Sequence, residues 1–193
     1  MDEPVHDFAP EQFDWRPYVA PVKLEEATPE QREAMKITPS GRGVSPYVLT
    51  LALEPAQLAE RSPLFNDIMY APEGLSRGGR EMGALAASVV NRCVYCAGVH
   101  AMRHVQLENR PEVIAEIFAH GAAADLPEAD QALFDFGVDL TLHPDRLGLM
   151  EFNRLREQGL DDLEILDLIH AVAIFGWANR LMHTLGAPYR KAE

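Results

Sequence analysis

The sequence predicts an all-α fold preceded by an extended N-terminal arm, and three observations carry that prediction. From residue 45 onward, apolar side chains recur at three- and four-residue spacing, the period of a helix with one buried face. Helix-start signals (Ser-Pro, Ser, Asp-x-x-Glu) stand at the heads of these stretches and glycines at several of their ends. No convincing period-two run appears. With 193 residues and 47% apolar side chains, the chain can form one compact domain with a sizeable core.

Taken in order, residues 1–44 read as the arm. They carry Pro4, Pro10, Pro17, Pro21, Pro29 and Pro39, which remove backbone donors and leave room for no more than a short helical turn around Pro29–Met35. Phe8, Phe13, Trp15 and Tyr18 give the arm something to pack with, on its own domain or on a neighbouring subunit. The helical domain is then 45–193. Ser45-Pro46 starts a helix, which settles the ambiguous run Tyr47–Leu53 as helical, and Pro55 and Pro63 are expected to break this region into short pieces. Ser76 caps a segment in which Met82, Leu85, Ala86, Val89 and Val90 form one face, and Cys93 to Glu108 form the next helix. Pro111 opens a helix that Gly121 stops, Pro127 opens one through Leu140, and 145–158 make another, ended by Gly159. Asp161 and Glu164 box the start of the last, which runs to about Leu185 and stops at Gly186 and Pro188. Val90-Asn91-Arg92 and Ala178-Asn179-Arg180 are weakly alike, too little for an internal repeat.

Composition excludes several function classes. The formal net charge is −13, which disfavours nucleic acid and anionic membranes, because phosphates need a clustered cationic surface. No apolar run is expected to reach membrane-spanning length, and the N-terminus lacks a signal peptide's basic start and apolar stretch. A soluble, cytoplasmic protein is the expectation.

The chain has two cysteines, Cys93 and Cys96. A bridge between them would close almost no loop, so structural stapling does not explain them. On a helix, Cys93, Cys96, His100 and His104 fall within an arc of about 80°. Asn91 is expected to cap that helix, placing both thiols in the first turns, where unpaired amides and the helix dipole stabilise a thiolate. His100, one turn beyond Cys96, can take or give a proton, and a dithiol with a base is the minimum for reversible thiol–disulfide chemistry. Glu81 would lie about 18 Å from Cys93 on one straight helix. It joins the site only if the chain turns near Asn91 and two helices pack antiparallel, where the carboxylate can hold a water or orient His100.

The spacing Glu81-x11-Cys93-x2-Cys96-x3-His100 resembles the signature of the alkylhydroperoxidase D family, within the carboxymuconolactone decarboxylase-like superfamily. Arg80-Glu81 through Cys93-x-Tyr95-Cys96, with Asn179-Arg180 on the last helix, is similar to its peroxidase-related branch. The motif spans 80–100 and the broader similarity 45–186. The resemblance implies a compact helical bundle of the alkylhydroperoxidase D-like type, assembled as trimers or hexamers, and a peroxidase. It implies that Cys96 attacks the hydroperoxide, Cys93 resolves the sulfenic acid to a disulfide, and Glu81 and His100 relay protons. No bound cofactor is implied; a lipoyl-bearing or thioredoxin-like dithiol would reduce the disulfide. Two departures stand out. Tyr95 sits where founding members have histidine, and Gly78 and Gly79 are expected to loosen the start of the glutamate helix.

Other readings stand beside this one. The thiols are also compatible with plain core packing, or with a structural zinc held by Cys93, Cys96 and His100, which lacks a fourth ligand. A redox-responsive interaction or structural protein without turnover is a different class, and a carboxymuconolactone decarboxylase-like enzyme has no need of a dithiol. Tyr95 reads as a pocket wall, His104 as a packing or exposed residue, and His170 and His183 as caps or core. Asn179-Arg180 reads as a buried helix-end or subunit contact.

Overall fold

The computed structural model describes residues 3–36 and 43–191, so Pro39 of the arm lies outside the described residues. Helices dominate: α1 (Pro29–Met35), α2 (Pro46–Leu51), α3 (Pro55–Tyr70), α4 (Arg77–Val90), α5 (Val94–Glu108), α6 (Pro111–His120), α7 (Glu128–Leu142), α8 (Leu149–Glu157) and α9 (Asp162–Leu185). The all-α prediction is correct in class. Ser45, Ser76 and Asp161 cap α2, α4 and α9 through their side chains, and the Asp161–Glu164 box is formed in both directions.

The chain is wound around α4. Every residue from Gly78 to Val89 is buried, and α5, α7 and α9 pack against it. One apolar cluster joins Ala84 and Ala87 to Leu168, Ala171, Val172 and Phe175 of α9; another joins Met82, Leu85 and Ala86 to Ala97 and Ala101 of α5 and Phe134 of α7. Small residues let these helices approach closely. Gly78 and Gly79 do not loosen α4, contrary to expectation: a Cβ on Gly78 would collide with the Glu108 carboxylate at 1.8 Å and one on Gly79 with Leu75 at 2.8 Å. Their missing side chains are filled by neighbours. Next to them, Arg80 is 1% exposed and ties three segments together. Its guanidinium donates to the carbonyls of Ala71 (2.9 Å) and Glu73 (2.5 Å) and to the Asp167 carboxylate of α9 (2.7 Å).

The structure corrects four other expectations. Two strands exist, β1 (Asp14–Pro17) and β2 (Gly186–Tyr189), paired antiparallel with Trp15 opposite Pro188. Four-residue strands containing Pro17 and Pro188, drawn from opposite ends of the chain, leave neither alternation nor a hairpin signal to read. Pro63 does not break the helix in which it lies: α3 runs through it, held on both sides by burial of Leu58, Ser62, Ile68 and Met69. The helix expected at 145–158 starts later, at Leu149, where the Glu151 carboxylate accepts from the Gly148 amide at 2.8 Å; a single 3₁₀ turn covers Pro144–Arg146. Finally, α9 is long and apolar enough to cross a membrane by length and composition, against the expectation that no apolar run reaches that length. Half of that apolar stretch is buried inside the fold, as befits its place in the core.

The arm is laid across this bundle. Trp15 Nε1 donates to the Met182 carbonyl at 3.2 Å, and the amides of Val5 and Tyr18 donate to Pro188 (2.9 Å) and Leu185 (2.7 Å). Gly98 of α5 makes room for the arm: a Cβ there would stand 2.6 Å from the Glu11 carbonyl oxygen. α1 falls on the Pro29–Met35 turn expected from sequence, with Thr28 and Gln31 forming a capping box.

Candidate active site

The turn between α4 and α5 builds the site. Asn91 ends α4, Arg92 adopts φ 55°, and the amides of Arg92 and Cys93 reach back to the carbonyls of Val89 (3.0 Å) and Ser88 (2.8 Å). This is a helix stop of the Schellman kind with arginine in the left-handed position. The expected turn is present, but Cys93 and not Asn91 is the N-cap of α5. Asn91 is spoken for: its amide still bonds Ala87, and its side chain meets Asn179 at 3.2 Å. The two weakly similar Asn-Arg stretches therefore touch.

Cys93 and Cys96 are free, and their sulfurs lie 2.8 Å apart in a shared hydrogen bond. Both are buried, in a cluster with Trp15, Tyr47 and Met182. The pair splits electrostatically. The hydrogen bond from Cys96 holds the Cys93 thiol below its ordinary value against the effect of burial, and the Asn179 amide helps. Cys96 is pushed well above its ordinary value by the same partner and by burial. Of the two thiols, Cys93 is the one that gives up its proton more readily. A small cavity of about 40 Å³ opens beside Cys93, lined by Trp15, Tyr95, Met182 and His183 among others, with room for water and little more.

Glu81 and His100 are brought together as a second pair. His100 Nδ1 is 2.5 Å from Glu81 Oε2, both side chains being almost wholly buried. Burial alone would raise the Glu81 carboxyl, but His100 and Arg77 outweigh it and hold it below the usual carboxylate range. An ionised Glu81 requires Nδ1 to carry the proton, which leaves Nε2 as the working nitrogen. That nitrogen has no hydrogen-bond partner among the described residues. Neither sulfur hydrogen-bonds His100 among the described residues, so the two pairs are unjoined; one turn of α5 separates Cys96 from His100.

Four further groups complete the site, of which the sequence had singled out only Asn179. Arg77 donates to Glu81 Oε1 through Nε at 2.9 Å and again through Nη2, and it lies 3.8 Å from the centroid of the Tyr70 ring. Arg103 donates to the Tyr70 hydroxyl at 2.7 Å and lies 3.8 Å from Oε1. Phe175 of α9 packs edge-on against the His100 ring, centroids 4.1 Å apart. Asn179, fully buried, stands by both sulfurs and is 3.2 Å from Ser88 Oγ. An asparagine inside the apolar face of α9 was the one sequence signal available for these. Tyr95 does line the small cavity. His104 is buried away from both pairs, its Nδ1 without a partner and its pKa lowered by desolvation. Among the described residues, no three His, Cys, Asp or Glu side chains cluster to hold a metal, and Cys93, Cys96 and His100 do not converge on one.

Residues 57–139, which hold Glu81, Cys93, Cys96 and His100, match the family model described as the carboxymuconolactone decarboxylase family. Tyr47, Phe175 and Asn179 lie outside the matched residues and reach them from α2 and α9. A crystal structure described as the alkylhydroperoxidase AhpD core, an uncharacterized peroxidase-related protein from Ralstonia eutropha JMP134, is similar at 26% identity and TM-score 0.75, covering 89% of this chain and 90% of that one. An uncharacterized peroxidase-related protein from Silicibacter sp. TM1040 shares the fold at 24% identity and TM-score 0.71, covering 84% and 87%. The debrominase Bmp8 shares it at 18% identity and TM-score 0.69, covering 86% and 89%. No curated protein sequence matches the chain.

Proposed function

We propose that this protein is a thiol-dependent peroxidase that reduces hydroperoxides with the Cys93/Cys96 dithiol. The family-model match over residues 57–139 and the peroxidase-related neighbour support an enzyme of peroxidase type. The observation that carries the finer reading is the buried, unbridged thiol pair at 2.8 Å beside a buried Glu81–His100 pair. Lactone decarboxylation moves no electrons to or from a thiol, so it leaves the dithiol without a task.

In the proposed cycle, the Cys96 sulfur attacks the terminal oxygen of the hydroperoxide while its proton passes to the Cys93 thiolate. The O–O bond breaks, and its electrons leave on the alkoxide. The alkoxide takes, through water, the proton that Cys93 gave up to His100 Nε2 when its thiolate formed, and departs as the alcohol. Cys96 is then a sulfenic acid. Cys93 attacks that sulfur, the S–S bond forms, and hydroxide leaves as water with the Cys93 proton. The dithiol has given two electrons to the peroxide. An external dithiol, lipoyl-bearing or thioredoxin-like, returns them by two exchanges. The turn at Asn91–Cys93 keeps both sulfurs within bonding reach throughout, so the disulfide needs no rearrangement of helices.

The same proposal places the enzyme in the cytoplasm as a homo-oligomer, trimeric or hexameric. Leu163, Leu166 and Trp177 form an exposed stripe along α9, each close to half exposed. The deciding experiment is sulfenate trapping under one equivalent of peroxide. Cys93→Ser accumulates a trapped sulfenate, Cys96→Ser yields none, and the wild type loses two thiols. Full peroxide consumption by both single variants would refute the enzyme.

A further inference from the structure

One cation on α3 has no counter-charge among the described residues. Arg61, on α3, is partly buried, and its guanidinium lies 4.2 Å from the centroid of the Phe65 ring. Among the described residues it makes no ion pair, and its Nε–H is buried without a hydrogen-bond partner. The neighbouring arginines differ: Arg77 and Arg103 face Glu81, and Arg80 faces Asp167.

A second group waits in the same place. The Tyr47 hydroxyl, on α2, is also buried without a partner, and the Tyr47 ring packs in the cluster that holds both cysteines. Arg61 acts electrostatically on Tyr47, and Tyr47 lies within the same range of Cys96 and Cys93. Burial pushes the Arg61 guanidinium below its ordinary value and the Tyr47 phenol above its own. Two buried donors, one charged, cost free energy until an acceptor reaches them. An anionic acceptor answers both. From Arg61 toward the working histidine the wall is aromatic, with Phe65 edge-on to Phe175 at 5.6 Å and Phe175 on His100 at 4.1 Å.

We propose that Arg61 and Tyr47 bind the acid group of the substrate, a carboxylate carried by an apolar hydroperoxide whose body lies along Phe65 and Phe175. This rests on the peroxidase reading of the dithiol and adds the substrate class. The carboxylate changes no bond; it anchors the molecule so that the peroxide end reaches Cys96. A planar guanidinium with a phenol beside it suits a carboxylate's two oxygens.

Cumene hydroperoxide and 4-carboxycumene hydroperoxide differ only in the acid group. The wild type is expected to prefer the acid by about tenfold or more in kcat/KM, the worth of one charge-assisted contact. In Arg61→Gln that ratio falls toward one, in Tyr47→Phe it falls part of the way, and Arg61→Lys keeps a share of it. Turnover of both peroxides by the wild type without preference overturns the site. Failure of the wild type to consume either one refutes the peroxidase and leaves the anion site to a separate measurement, a calorimetric titration with benzoate and with benzamide. Benzoate binding that benzamide lacks, and that Arg61→Gln abolishes while keeping the wild-type helical circular dichroism, upholds the site. Equal binding of the two, or no binding of benzoate, overturns it.

Discussion

At the scale of single residues, the site works by opposing burial with a chosen partner. Cys93 is held low by the hydrogen bond it shares with Cys96, so the two thiols behave as one acid whose first proton comes off more readily at Cys93. The expected outcome for the wild type is an alkylation-rate midpoint below the ordinary 9.0 of a cysteine. Cys96→Ala removes the largest lowering influence and moves the Cys93 midpoint upward, as read by iodoacetamide kinetics across pH. Glu81 is the complementary case. Its folded carboxyl titrates below the ordinary 4.5, so the unfolded chain binds that proton more readily. The stabilisation it supplies is therefore complete above pH 4.5 and is lost as pH falls through the lower folded value. Thermal melts from pH 6 to pH 3 should show this loss in the wild type and a flatter profile in Glu81→Gln. The same variant frees His100 to take the wrong tautomer, and kcat is expected to fall by about 100-fold. An unchanged kcat would remove Glu81 from the proton path.

At the scale of elements, the decisive object is the stop between α4 and α5. It reverses the chain within three residues, sets Glu81 against His100, and leaves Cys93 at the head of α5. The arm then closes over α5 at Gly98, where a Cβ would meet the carbonyl oxygens of Glu11 at 2.6 Å and Ala9 at 3.0 Å. Backbone atoms cannot rotate aside as a side chain can. Gly98→Ala is expected to cost about 2 kcal/mol, a fall in Tm of about 4–8 °C, and to expose the arm to protease before the core unfolds. An unchanged Tm with a protected arm would show that the arm is not seated on α5.

At the scale of the whole molecule, both chain ends meet in one ribbon. β1 and β2 bring the arm and the end of α9 together, and Trp15, Tyr47 and Met182 cover the dithiol from that side. The outer face of α9 carries the proposed contact between copies. Trp177→Glu puts a charge at the C-terminal end of the exposed stripe and is expected to convert the oligomer to monomer in light scattering, with peroxide reduction assayed alongside. A wild-type monomer would retire the interface.

Legibility in the sequence differs between fold and site. The helices of the core are readable because each buries one face, and burial of a helix face imposes its period on the chain. Caps at Ser45, Ser76 and Asp161 are readable because they are local chemistry between residues three apart. The pairing of Glu81 with His100 is expected only on condition of a turn, and the cap expected for α5 falls two residues early, because Asn91 already serves α4 and Asn179. The β1–β2 ribbon, the approach of Asn179 to the sulfurs and the run from Arg61 through Phe65 to Phe175 leave no pattern in the sequence. Those contacts join residues far apart along the chain, on elements whose relative angle is set by packing. Spacing along one helix tells which side chains share a face; it cannot tell what another helix presents to that face. The dithiol and its spacing to Glu81 and His100 were legible in the chain itself. The wall around them, with Tyr47 from α2, Phe65 from α3 and Phe175 from α9, was decided only by tertiary packing, because no spacing along the chain relates those helices.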